Sequence, residues 1–435
     1  MTPRSAKSLS RVPPWGTFPS SVPSLWRDPP VLLAGLAIVY GLLTFARHGI
    51  GPVSTQAEIL LSPHTLPRYA SFSLIRIAMA YVLSLVVALA YGYIAAYHAK
   101  AERLMIPLLD TLQSIPVLSF LPEVMLAMIS LFPERNLGIE LGSVVLILTG
   151  QVWNMTFSFY SSLKSIPQEM REAAAIYRWG WWQRLLVQME LPFAAIGLIW
   201  NSMMSVAGAW FFLMACEMFV LGNRDLRLPG LGSYLQTAAN AGDSRAIAWG
   251  VVVMVAVVVI VDQVVWRPVI AWAEKFKFEQ VEGAEAPRSL VLNLVRHSHI
   301  LSVLRRRAVR PAGETLNLHF ARAEGSGRQH PSGRQVRRWI WRALVAGGIA
   351  GTANAVVNMS VMLAALSRSE IREIVAGAWS TFLRVEAKLV LAGLWTIPVG
   401  MWVGLRPRLA AMAQPIAQIA ASVPATTLFP VVLLV

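Results

Sequence analysis

Charge is what this sequence has least of. Asp, Glu, Lys and Arg make up 14% of its 435 residues, against 56% apolar ones, whereas a soluble core of this size would carry far more charge. Its single cysteine, Cys216, sits in an apolar run; this excludes an intramolecular disulfide framework and reads as a buried small residue. The seven histidines show no H-E-x-x-H or other ligand spacing, and there is no cysteine cluster. The sequence therefore offers no metal site and no catalytic constellation. No lysine follows a glycine, so a G-x-x-x-x-G-K-[ST] phosphate loop is not present. We expect neither a catalytic residue nor a cofactor.

What the chain does have is long apolar runs, near 31–46, 72–97, 104–132, 139–163, 190–221, 245–266, 339–364, 382–405 and 409–435. Each is long enough to cross roughly 30 Å of hydrocarbon as a helix, so the expected fold is all-α, a polytopic transmembrane helical bundle of nine spans. The N-terminus carries Arg4, Lys7, Arg11 and Arg27 among prolines, without a small-residue cleavage site after the first apolar run. It reads as a cytoplasmic tail followed by a retained span. If each span then changes sides, most of the 38 Lys and Arg residues fall in cytoplasmic segments. That bias accounts for the net charge of +15 with anionic membrane lipid as partner and no nucleic acid. Arg76, Arg384 and Lys388 fall near span ends on the outer side, where snorkelling is expected to serve them.

An internal repeat organises the chain. Arg76, Gly92, Pro107, Ser114, Pro116 and Pro122 recur as Arg384, Gly400, Pro415, Ser422, Pro424 and Pro430, all at the 308-residue interval that separates Arg76 from Arg384, with no gap. Each copy reads as a span, a short basic turn, and a second span that carries S-x-P with another proline six residues on. By the expected spans six crossings separate the copies, and an even number makes this a parallel duplication. The expected divisions are a cytoplasmic tail (1–30), a six-span domain (31–270), a basic Gly/Ser/Pro/Arg-rich cytoplasmic linker (271–338) and a second domain (339–435). That second domain stops within its third span, and we expect a fragment or a truncated reading frame.

The most informative segment is EAAAIYRWGWWQRLLVQMELP, Glu172 to Pro192, which is basic, tryptophan-rich and wedged between two apolar runs. Trp179, Trp181 and Trp182 with Arg178 and Arg184 suit an interfacial anchor. Glu172 near a helix start and the small Ala173, Ala174 and Ala175 suit close docking to a soluble partner. Physics alone leaves the two level. The residues resemble the EAA loop of the membrane-spanning permeases of bacterial binding-protein-dependent ABC importers. Glycine falls at Gly180, two residues later than is usual in that family, and Glu172 to Pro192 is one residue longer than usual. Leu228-Pro229-Gly230-Leu231-Gly232-Ser233-Tyr234 and Ala207 to Phe219 extend the resemblance to the nitrate, taurine and sulfonate branch, in its form with two fused permease domains. The resemblance implies an ABC importer permease fold in the bacterial inner membrane, with cytoplasmic ABC ATPase subunits and a periplasmic solute-binding protein as partners. It also implies an ATPase-coupling loop formed by Glu172, Ala173, Ala174, Gly180, Leu191 and Pro192.

Polar residues inside spans are costly in lipid and mark a pathway or a helix contact. Gln151, Asn154 and Ser158 share one helical face, as do Asn201, Ser205 and Gly208. Both sets are candidates for the translocation pathway, with interhelical hydrogen bonding as the alternative. Glu217, an acid in an apolar run, joins that pathway or pairs with Arg224. Asp262 is expected to pair with Arg267 or to snorkel. An ion-gradient-driven secondary transporter and an inactive truncated permease remain as alternative readings.

Overall fold

The computed structural model describes residues 28–51, 59–133, 135–177, 179–180, 184, 189–221, 224–276 and 366–422, with scattered positions from 303 to 364. The expected N-terminal tail, most of the expected linker, and the part of the last expected span beyond residue 422 lie outside the described residues. The chain divides into two compact units, 1–318 with 421–435, and 319–420.

The first unit is a helical bundle. It comprises α1 (Asp28–Ile50), α2 (Leu66–Tyr97), α3 (Ala99–Ser114), α4 (Leu121–Leu131), α5 (Leu137–Lys164), α6 (Gln168–Ile176), α7 (Glu190–Glu217), α8 (Leu231–Asn240), α9 (Ser244–Val261) and α10 (Arg267–Ala273). A two-residue hairpin, β1 (Val220–Leu221) with β2 (Arg224–Asp225), follows α7. Residues 262–266 form a π turn that joins α9 to α10. Across the two units, five helices among the described residues are long and apolar enough to cross a membrane: Pro63–Tyr97, Leu137–Lys164, Glu190–Glu217, Ser244–Ala273 and Arg368–Gly404.

The middle helix is α5, packed along α2 and along α7. Lipid tails are as apolar as leucine, so helices in a membrane gain their association from close packing and polar contacts rather than from leaving water. The sequence of α2 provides for this with Ala80, Ser84, Ala88 and Gly92, one per turn, all buried. A Cβ on Gly92 would lie 2.9 Å from the Phe159 ring, so the glycine sets how closely α5 approaches. The opposite side of α2 shows Val82, Leu83 and Val86 on its surface, as a lipid-facing stripe should.

One expected continuous helix is broken in two. The run 104–132 is not a continuous helix: α3 ends at Ser114, Ile115 and Pro116 are extended, a 3-10 turn covers Val117–Ser119, and α4 begins at Leu121. A proline disfavours helical backbone at the residue before it, so the S-x-P motif that marked the repeat is the break itself. Apolarity over 104–132 concealed two short helices.

In the second unit α11 (Arg368–Gly404) and α12 (Pro407–Ser422) follow a capping box. There the Ser367 hydroxyl accepts from the Glu370 amide and the Glu370 carboxylate accepts from the Ser367 amide at 2.7 Å. The start of α12 falls 308 residues beyond the start of α3, so the repeat extends to that element boundary. Arg384, the counterpart of Arg76, is exposed on α11.

Candidate functional site

Within the expected coupling segment, about 166–192, the structure forms a short helix. Its helix, α6, has nine residues, from Gln168 to Ile176, and Pro167 precedes it. Glu172 is thus mid-helix and exposed, accepting from Gln168 Nε2 at 2.8 Å; Glu169 is the acid of the first turn. Ala173 is half-buried, and Ala174 is buried in a cluster with Leu163, Ile166, Met189 and Leu198. The Arg171 guanidinium donates to the Leu163 carbonyl at 2.8 Å and holds α6 to the end of α5. Beyond the helix, Gly180 is non-helical and its carbonyl accepts from the Arg184 amide at 2.9 Å. Leu191 and Pro192 lie in the first turn of α7, half-buried. The expected anchor is represented by Trp179, half-buried against the same cluster, while Arg178, Trp181 and Trp182 lie outside the described residues. On the free side of α6, Ile176 is 78% exposed and Tyr177 71%.

Close by, Glu102 of α3 accepts from Lys164 Nζ at 2.8 Å and from the Tyr160 hydroxyl. Those donors hold its carboxyl below the usual carboxylate range.

The polar face expected on α5 is split by the packing. Gln151 is fully buried, with Oε1 accepting from Ser84 at 3.3 Å and Nε2 without a partner. Asn154, one turn on, is exposed, and Ser158 is half-buried. On α7, Asn201 is half-buried and donates to the Gly197 carbonyl of its own helix at 2.9 Å. Ser205 is buried with its hydroxyl unpartnered, as is Ser202; Gly208 is exposed. A Cβ on Gly197 would meet Ser158, and one on Gly150 would meet the Phe212 ring. That antiparallel register sets Asn154, midway between the two contacts, level with Ser205, and Ser158 level with Gly197.

At the far end of α7 the structure corrects the treatment of charge. Arg76 does not snorkel: it is fully buried. Its Nε and Nη2 donate to the two carboxylate oxygens of Glu140 at 2.6 and 2.7 Å, and its Nη1 donates to Glu217 at 2.8 Å and to the Pro229 carbonyl at 2.9 Å. Glu217 thus pairs with Arg76. Its Oε1 also accepts from the Ser73 hydroxyl at 2.6 Å, and its Oε2 from the Gly232 amide at 2.7 Å. His48 of α1 lies 3.8 Å from Glu140. A side chain at Gly230 would occupy the space of the Glu217 carboxyl, which explains glycine beside this acid. One cation and two acids are tolerable in a dry interior because each carboxylate is hydrogen-bonded at both oxygens and the bidentate geometry is favourable.

Sequence reasoning noted Arg76 and Glu217 but did not join them, and it passed over Glu140. The available signal was three ionisable residues inside apolar runs, where charge is rare unless paired. Also missed was Glu190, fully buried immediately before Leu191-Pro192. Asp262 does meet Arg267, at 3.3 Å. Among the described residues no group of His, Cys, Asp and Glu is placed to hold a metal ion.

Comparison with known proteins bears on this region. Residues 88–265 match the family model described as the binding-protein-dependent transport system inner membrane component. A protein of Bacillus subtilis strain 168 named as an aliphatic sulfonates transport permease is 20% identical over 263 residues, 60% of this chain and 87% of the relative. The nitrate import permease protein of Leptolyngbya laminosa is 21% identical over 183 residues, 41% of this chain and 59% of the relative. The stretch that holds α6, the polar residues of α5 and α7, and Glu217 is therefore similar in sequence to the inner membrane component of a binding-protein-dependent transport system.

Proposed function

We propose that this chain is the membrane-spanning permease of an ATP-driven importer, coupled through α6 to a separate cytoplasmic ATPase and supplied by a periplasmic solute-binding protein. One observation carries the reading: a nine-residue polar helix between two membrane-length helices, α5 and α7, buries Ala174 and turns Ile176 and Tyr177 outward. Glu172, Ala173 and Ala174 belong to the docking element in this reading, with Gly180, Leu191 and Pro192 forming the return to the membrane.

The translocated solute is a small anion. The names of the two relatives support that class, as do the neutral donors of Gln151, Ser202 and Ser205, buried and unpartnered on α5 and α7. Asn154, level with Ser205 and exposed, and Asn201 complete the proposed polar lining. Glu217 belongs to this region through the charge it balances rather than by offering a free carboxylate to solute. The buried acids that a gradient-driven transporter requires are present as Glu140, Glu190 and Glu217, but Glu140 and Glu217 are engaged by Arg76, and Glu190 by Tyr97 and Arg184. The basic segment before the second unit is proposed as a cytoplasmic linker, and α11 with α12 as the start of a second permease domain in parallel orientation.

Docking through α6 is tested by Glu172→Lys and Ile176→Asp. Uptake of labelled nitrate or an alkanesulfonate into cells should fall at least tenfold, on the order of 1.4 kcal/mol of lost coupling, with the permease still present in the membrane at its normal level. Unchanged uptake in both variants would sink the assignment of α6.

A further inference from the structure

Three elements meet at one carboxylate oxygen near α6. Glu190, the first residue of α7, is fully buried. Its Oε1 accepts from the hydroxyl of Tyr97, the last residue of α2, at 2.6 Å, and from Arg184 Nε at 2.8 Å. Arg184 belongs to the segment between α6 and α7; its Nη2 donates to the Tyr93 hydroxyl at 3.1 Å, and its guanidinium stacks 5.2 Å from the Tyr97 ring centre. The rings of Tyr93 and Tyr97 pack at 4.8 Å. A buried carboxylate is held in such a place only when it is paired, and removing one partner of such a pair is far costlier than forming it was favourable. This cluster shares no residue with those named for docking, although Arg184 and Glu190 lie in the same return segment, and it is outside the polar faces of α5 and α7.

From this arrangement we infer that Glu190, Tyr97 and Arg184 form the joint that passes a displacement of α6 to α2 and α7, with Glu190 as its positioning residue. The inference rests on the reading of α6 as a docking helix. Arg184, between α6 and α7, ties that stretch of chain to the ends of two long helices. At the opposite end of the same pair, Arg76 of α2 and Glu217 of α7 form the second direct bridge, while α5 packs against both helices between these points. Clamped at both ends, α2, α5 and α7 move as one body, and the joint is where that body receives the push.

The test displaces α6 without any partner. In the purified full chain in lipid nanodiscs, Ala174→Phe wedges α6 away from the cluster in which Ala174 is buried, and hydrogen exchange is followed by mass spectrometry. With the joint intact, exchange should rise about threefold at residues 91–97 and 190–197 as well as in α6, a coupling within the usual range for contacting sites. When Tyr97→Phe is added, removing one hydroxyl and leaving the ring, or Glu190→Gln, the rise at 91–97 and 190–197 should at least halve while the rise in α6 persists. An equal rise in the presence and absence of those changes, or no rise outside α6 in either, overturns the joint. Transmission through the joint with normal uptake by Glu172→Lys would instead overturn the docking reading alone.

Discussion

At the scale of single residues, the decisive arrangement is Arg76 between Glu140 and Glu217. Each charge would be costly alone in a lipid-embedded core, and together they leave one excess negative charge, spread over hydrogen bonds from Ser73 and the Gly232 amide. Arg76→Gln leaves two carboxylates facing one another without a cation. We expect it to lower stability by about 3–5 kcal/mol, read as loss of monodisperse protein in detergent on heating, with Arg76→Lys intermediate because an ammonium cannot reproduce the bidentate contact. Arg76→Gln with stability equal to the parent would show that the pairing contributes nothing. The individual charges were visible in the sequence as ionisable residues in apolar runs. Their partnership was not, because Arg76 and Glu217 are 141 positions apart and no periodicity links residues on different helices.

At the scale of elements, glycine and proline decide how helices approach and where they stop. The S-x-P pattern ends α3 at Ser114, yet hydropathy merged α3 and α4 into one span. Apolar content reports what lipid or a core will accept, whereas the backbone is broken by the ring of Pro116, which hydropathy does not weigh. Where α4 crosses the start of α5, a Cβ on Gly138 would lie 2.7 Å from the Met128 carbonyl oxygen and 3.0 Å from the Ile129 Cα, both backbone atoms. Gly138→Ala should therefore cost about 1–3 kcal/mol through forced separation of the two helices. Gly208→Ala, with open space around its Cβ, should leave the melting temperature within error. Equal thermal shifts for the two variants would refute this account of glycine at the α4–α5 crossing.

At the scale of the whole molecule, the first unit has a direction. With 28 residues, α7 is about 42 Å long, more than the roughly 30 Å of a bilayer's hydrocarbon, so Glu190 and Glu217 stand toward opposite faces. The segment with α6 and the hairpin after α7 consequently belong on opposite sides of the membrane. A cysteine at Ile176 should react with a membrane-impermeant maleimide in inverted vesicles and not in intact spheroplasts, and one at Val220 should show the reverse, while buried Cys216 stays silent. Labelling of both from one side would overturn the topology. The expected cytoplasmic placement of α6 came from the distribution of Lys and Arg, which depends on composition on each side of the spans and not on how they pack.

Composition and order along the chain by themselves determined that this is an all-α membrane bundle, that it repeats at 308 residues, and that a polar, non-spanning segment follows α5. These are properties of local runs and of register, which a linear string records in full. Tertiary structure decided which polar residues share a surface. It buried Gln151 against Ser84 of α2 and left Asn154 exposed on what had read as one face. It confined α6, the helix proposed to dock, to Gln168–Ile176 and turned Ile176 and Tyr177 outward. It also gave Glu190 and Glu217 partners from α2. The physical reason is common to all of these: the cost of a buried polar group depends on what lies across the contact, and only the folded chain supplies that neighbour.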